Sequence, residues 1–135
     1  TDKKILIDVV KGFQEAGFHV EIDDFGKGAS SLSILKDVRA DIVKLDMGFL
    51  TVTRNAERSR VILETIVDLA KQLEMEVIAE GVEYKEQLEA LAGMGCGLFQ
   101  GFYFSRPLPV SEFEERYRKW FIEKPAKKGP ERDRK

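Results

Sequence analysis

The residues of this chain that could do chemistry are mostly acids, and they recur at one kind of place. Asp23 and Asp24 end the alternating, β-branched run His19-Val20-Glu21-Ile22 and are followed at once by Phe25-Gly26. Lys44 and Asp46 interrupt the apolar run Ile42-Val43-Lys44-Leu45-Asp46. Glu80 ends Val77-Ile78-Ala79-Glu80 directly before Gly81, with Glu83 soon after, and Gln100 stands directly before Gly101. Ionised carboxylates at the ends of buried strands are costly unless something binds them. Oxygen ligands without histidine or cysteine suit a hard divalent cation, Mg²⁺ or Mn²⁺. Two such ions about 4 Å apart can bridge a phosphate oxygen, generate hydroxide and stabilise a leaving oxygen. A lysine in the same mouth can neutralise the charge that builds on the phosphoryl group or hold the attacking water. Each residue also has a structural reading. Asp23-Asp24 can be a solvated turn, and Lys44 can pair with Asp46 or Asp24. Glu80 can complement the start of the next helix, and Gln100 can bond a neighbouring loop. Buried polar groups are usually satisfied in such ways, but packing alone does not explain the same feature at four successive strand ends.

The elements that must position these groups follow from hydrophobic periodicity. Ile5, Leu6, Val9, Val10 and Phe13 recur at helical spacing, with Gly17 as the stop. A strand is expected over about 18–24, then a short helix capped by Ser30-Ser31 and carrying Leu32 and Leu35. Ile42 to Asp46 is the second strand. A helix over about 56–74 is expected to face inward with Val61, Ile62, Ile66, Leu69, Ala70 and Leu73. Val77 to Gly81 is the third strand, Tyr84 to Met94 a helix with Leu88 and Leu91 inward, and Leu98 to Phe104 the fourth strand. Ser111 and Glu114 have the spacing of a capping box that opens the last helix, whose apolar stripe is Phe113, Tyr117, Trp120 and Phe121. Alternation of helices with short apolar strands means an α/β fold with a parallel sheet. A doubly wound sheet and a (β/α)₈ barrel both give this pattern. Four strands and a start in mid-helix favour a partial TIM-like barrel, its C-terminal half, over residues 1–122. Function in such folds collects at the C-terminal ends of the strands, which is where the acids lie.

Composition narrows the reading further. The chain has 135 residues, 43% of them hydrophobic, and a net charge of −2. Residues 123–135 hold six basic and three acidic side chains and read as a disordered charged tail. No broad basic footprint for a polynucleotide remains. One cysteine, Cys96, excludes an internal disulfide and fits a reducing compartment, and one histidine argues against a histidine-based metal site. No apolar run reaches membrane-spanning length. The cytoplasm is the expected location, with a membrane anchor elsewhere in a parent protein left open.

Four motifs then resemble one family, the EAL domains, the cyclic di-GMP phosphodiesterases of bacteria. Ile22-Asp-Asp-Phe-Gly-Lys-Gly-Ala-Ser-Ser-Leu32 is similar to the family's DDFGTGYSSL loop. Asp41-Ile-Val-Lys-Leu-Asp46 resembles D-x-x-K-I-D, and Val77-Ile-Ala-Glu-Gly-Val-Glu83 resembles V-A-E-G-V-E. Gln100-Gly-Phe-Tyr-Phe-Ser-Arg-Pro-Leu-Pro109 resembles Q-G-Y-x-F-S-R-P-x-P. The resemblance implies a TIM-like barrel that cleaves cyclic di-GMP to linear pGpG with two Mg²⁺ or Mn²⁺ ions. It implies Asp23 and Asp24 as metal ligands, Lys44 as the group that positions water, and Glu80 as metal ligand or general base. Gln100 would lie near substrate or metal-bound water, while Glu83 and Asp46 would give substrate or loop support. Gly26, Ser30 and Ser31 would belong to a mobile loop that couples dimerisation to metal binding. It also implies a homodimer, and allows an upstream GGDEF or sensory domain. The family's Glu-Ala-Leu signature and two further ligands, an Asn and a Glu, are expected upstream of this chain, so the chain alone is expected to be inactive. Glu89-Ala90-Leu91 lies instead on a helix, with Leu91 inward and Glu89 toward solvent. Lys27 stands where the family has Thr, Ala29 where it has an aromatic residue, and Met47-Gly48 where it commonly has Arg/Lys-Ser. The alternative is a catalytically silent EAL domain that serves as a cyclic di-GMP receptor or scaffold.

Overall fold

Period-2 apolar runs and 3.6-period stripes alternate along the chain, and each becomes the element its spacing demands. The computed structural model describes residues 2–25, 31–48 and 56–123. Its elements are α1 (Asp2–Glu15), β1 (Glu21–Phe25), α2 (Ser31–Asp37), β2 (Ile42–Asp46), α3 (Ala56–Gln72), β3 (Glu76–Glu80), α4 (Lys85–Gly93), β4 (Leu98–Gln100) and α5 (Val110–Glu123). The chain divides into two compact units, Thr1–Phe104 and Ser105–Lys135. The first holds the sheet and α1 to α4. The second holds α5, where the Phe113 and Tyr117 rings lie 4.7 Å apart.

All strand pairs are parallel, in the order β1-β2-β3-β4. A doubly wound sheet reverses its strand order at a switch point. This sheet never does, so it is an arc of a singly wound, barrel-type α/β fold. One face carries Val43, Leu45, Val77 and Ala79, buried against Leu63, Val67 and Ala70 of α3 and Leu91 of α4. The other face carries Ile42, Lys44, Asp46, Ile78 and Glu80, all half-buried, and Leu98, which is exposed. Alternation along β2 and β3 therefore sends Val43, Leu45, Val77 and Ala79 under the helices, and Lys44, Asp46 and Glu80, together with Ile42 and Ile78, to the other face.

Several expected details shift. β1 starts at Glu21 rather than at residue 18, and β4 ends at Gln100 rather than at Phe104. On α3 the buried stripe is Ser59, Leu63, Val67 and Ala70, while Val61, Ile62 and Leu73 are exposed. The apolar residues of α3 cover more than one face. Bulk favours the Val61–Ile62 register, but the buried stripe runs through small Ser59 and Ala70. On α1 only Val10 of the expected face is buried, and Ile5, Leu6, Val9 and Phe13 are exposed. α5 starts at Val110, because the Phe113 N–H donates to the Pro109 carbonyl at 3.0 Å, so Ser111 lies inside the first turn rather than capping it. Gly17 follows the end of α1 at φ +92, in the left-handed conformation that suits glycine there. The tail expected to be disordered lies, from residue 124, outside the described residues. No helix among the described residues is long and apolar enough to cross a membrane.

Candidate metal centre

Two consecutive residues of a regular strand point to opposite faces, so Asp23 and Asp24 should not converge. A break in register makes them do so. Ile22 pairs with Val43 and Phe25 with Leu45, so three steps of β1 run against two of β2. The extra residue is a β-bulge, a device that re-aims side chains at strand ends. Asp24 sits at φ +54, a left-handed conformation that Asp tolerates better than most residues. Its N–H donates to Asp23 Oδ1 at 2.8 Å. Beyond the bulge the pleat resumes, and Phe25 is buried with Leu45.

β3 brings the third carboxylate. One oxygen each of Asp23, Asp24 and Glu80 lie within 4.8 Å of one another. Lys44, one strand over, places Nζ 4.0 Å from Asp23 Oδ1 and 3.8 Å from Glu80 Oε2. Its ammonium therefore serves the Asp23–Glu80 pair, where the sequence suggested Asp46 or Asp24 as partner. The lysine side chain is 16% exposed and that of Asp23 61%, so the cluster is open to water on the aspartate side. Like charges 4.8 Å apart repel by about 1 kcal/mol at the dielectric of water, and by about 3 kcal/mol at an effective value near 20. Among the described residues, three carboxylates meet here beside the Lys44 ammonium. Hard oxygen donors with this spacing fit a divalent cation, because opposite ligands in an octahedral Mg²⁺ site stand about 4.2 Å apart.

The remaining predicted residues fall around this cluster. Asp46 is in register with Glu80, and Glu80 with Gln100, so the three form one row across the strand ends. Asp46 Oδ1 accepts from the Gly48 N–H at 2.8 Å, which shapes the chain leaving β2. Gln100 is exposed. Glu83 is exposed, and its N–H donates at 2.9 Å to the side-chain oxygen of Gln87. Gly26 and Ser30 lie outside the described residues. Ser31 opens α2, and its side chain is outside the described set. Glu89 pairs with Lys85 at 3.3 Å on the surface of α4 while Leu91 is fully buried, so the Glu89-Ala90-Leu91 tripeptide is unrelated to the site. Sequence reasoning passed over Gln87, whose spacing from Tyr84 is a helix-start signal. The side-chain oxygen of Gln87 accepts from both the Glu83 and Tyr84 N–H groups.

Known proteins share this arrangement of strands and motifs. The EAL domain model matches residues 1–107. The chain belongs to the EAL domain family. It is 41% identical over 118 residues to the Bacillus subtilis signaling protein YkoW, covering 87% of this chain and 14% of that protein. It is 39% identical over 109 residues to the cyclic di-GMP phosphodiesterase NbdA of Pseudomonas aeruginosa, covering 81% of this chain and 14% of NbdA. Among solved structures, an EAL domain protein from Listeria monocytogenes superposes with a TM-score of 0.78 at 41% identity, over 85% of this chain and 47% of that one. A manganese and cyclic di-GMP complex of BlrP1 from Klebsiella pneumoniae gives a TM-score of 0.67 at 38% identity, over 74% of this chain and 26% of that one. The chain thus spans a small part of these curated relatives and about half of the Listeria EAL protein. The four parallel strands are an arc of the TIM-like barrel of this family.

Proposed function

We propose that this chain supplies the Asp23, Asp24, Lys44 and Glu80 portion of the active site of a metal-dependent phosphodiesterase that cleaves cyclic di-GMP to linear pGpG. The observation that carries the reading is the convergence of three carboxylates beside Lys44 at the C-terminal rim of an EAL-domain sheet. The manganese and cyclic di-GMP complex of BlrP1 and the activity named for NbdA support it. Asp23, Asp24 and Glu80 would hold Mg²⁺ or Mn²⁺. When bound, two such ions activate water at neutral pH and stabilise the leaving oxygen. Lys44, held between Asp23 and Glu80, neutralises charge gathering on the phosphoryl oxygens and orients the attacking water. Glu80 serves either to ligate or to take the proton of that water. Gln100, at the end of the same row, faces the substrate side of the rim, and Asp46 and Glu83 support the surrounding loops.

The reading extends to residues 1–122 as the C-terminal half of the catalytic domain. A homodimer of the complete bacterial domain works in the cytoplasm, and further ligands come from outside this chain. The test is pGpG release from cyclic di-GMP by a complete domain containing this sequence, with Mg²⁺ or Mn²⁺ and with chelator. Metal-dependent release supports the reading. Tight cyclic di-GMP binding without cleavage would assign a receptor or scaffold instead. Residues 1–135 alone are expected to show negligible turnover, and measurable Mg²⁺-dependent release from them would overturn that part.

A further inference from the structure

Glu80 is the carboxylate of the cluster that β1 does not carry; it ends β3, in register with Asp46 and Gln100, and the chain that leaves it adds to what fixes its position. That chain is Gly81-Val82-Glu83-Tyr84, and it interlocks with the exit of β4 through backbone atoms. The Val82 N–H donates to the Gln100 carbonyl at 3.1 Å, and the Val82 carbonyl accepts from the Tyr103 N–H at 3.0 Å. Val82 is fully buried. The two turns meet at Gly101. A Cβ there would lie 2.9 Å from the Val82 carbonyl carbon and closer still to its nitrogen and oxygen. The obstacle is backbone, which cannot rotate aside as a side-chain tip can. On the other flank, Gln87 reaches back from α4, and its side-chain oxygen accepts from the Glu83 N–H at 2.9 Å and the Tyr84 N–H at 3.2 Å.

We propose that Gly101 and Gln87 are positioning residues for Glu80: the bare Cα of Gly101 admits Val82 against β4, Gln87 anchors the turn to α4, and together they hold the Glu80 carboxylate within reach of Asp23 and Asp24. The proposal rests on the metal reading above for its consequence, but its geometry does not. Partners that orient a ligand without touching the ion are worth about 10- to 100-fold in metal affinity. Neither Gly101 nor Gln87 belongs to the carboxylate cluster itself.

The experiment is Mn²⁺ titration of a complete domain containing this sequence, followed by electron paramagnetic resonance, with amide resonances of Glu80 to Glu83 recorded without metal. Gly101→Ala and Gln87→Ala should each weaken Mn²⁺ binding about tenfold or more and shift those amides. Gln87→Glu, which keeps an acceptor oxygen, should restore most of the affinity. Gly97→Ala serves as control, since a Cβ there meets nothing within 4 Å, and should change neither readout. Should Gly101→Ala fail to fold, the Gln87 pair still decides. Parent-like Mn²⁺ affinity with unmoved amides in the Ala variants would overturn the proposal. Absence of saturable Mn²⁺ binding in the parent complete domain would instead overturn the metal reading, leaving the amide shifts to decide the positioning.

Discussion

The two ends of this sheet treat their carboxylates in opposite ways. At the N-terminal end, Asp41 is satisfied by its own chain. Its Oδ2 accepts from the Val20 N–H at 2.7 Å and from Gln14 Nε2 at 3.1 Å, while Gln14 also donates to the Arg39 carbonyl at 2.6 Å. Backbone bonds from Asp41 to the Val20 carbonyl and from Glu76 to the Asp41 carbonyl lace the same end together. The Val20 N–H, then Gln14, hold the Asp41 carboxyl below its ordinary range against the opposing effect of burial, and His19 adds to them. Nearby, burial pushes the Cys96 thiol up, and the thiol sits 3.5 Å from the carbonyls of Val77 and Leu98. At the C-terminal end, three carboxylates crowd within 4.8 Å of one another around Lys44. A carboxylate whose partners are built into the fold is architecture. At the other end, a bulge and a left-handed residue bring three carboxylates of the described residues together, with the Lys44 ammonium between two of them.

That contrast can be broken in order of effect. In the complete domain, Asp23→Asn or Glu80→Gln should lower pGpG release at least about 100-fold, given that losing even an indirect metal partner costs about 10- to 100-fold in affinity. Circular dichroism should show little loss of fold. Near-normal rates in both would remove them from the chemistry. Lys44→Met should reduce kcat by about 10²–10³-fold, the usual cost of losing one electrostatic donor. Mn²⁺ affinity should be kept or tightened, since a competing cation leaves the site. A parallel fall in Mn²⁺ affinity would mean that Lys44 only props the carboxylates. At the other end, Asp41→Ala should leave Mn²⁺ affinity unchanged while lowering stability at pH 7 by about 1–2 kcal/mol, read by urea unfolding. The pH dependence follows from the depressed folded pKa. The charged-state contribution of Asp41 is present above the unfolded value near 3.9 and is lost as pH falls through the folded value. The gap between parent and variant should therefore narrow below about pH 4, and a gap unchanged at about pH 3 would discount the ionic part. Smallest of all, Glu89→Ala should change stability by no more than about 0.5 kcal/mol, as for exposed helix pairs, and turnover not at all.

What sequence reasoning could reach depended on whether a signal was local. The strands Ile42–Asp46 and Val77–Glu80 were legible because alternation of apolar and polar residues fixes both element and face. The α4 helix was legible for a similar reason, with Leu91 inward and Glu89 outward. The α3 register was not, because its apolar residues cover more than one face and the choice among them belongs to the sheet. Asp41 was visible as a motif residue, but its partners Gln14 and Val20 are 27 and 21 positions away. The tandem aspartates announced a site, yet nothing local says that adjacent strand residues share a face.

By itself the sequence determined the element types, the parallel α/β class, the hard-cation character of the acids and the family to which the motifs belong, since each is written in residue type and short-range spacing. Only the tertiary structure decided that a bulge turns Asp23 and Asp24 to one side, that Lys44 stands between Asp23 and Glu80, and that the turn after Glu80 is seated on Gly101. Those outcomes depend on which strands lie side by side and in what register, which is fixed by packing across the whole sheet.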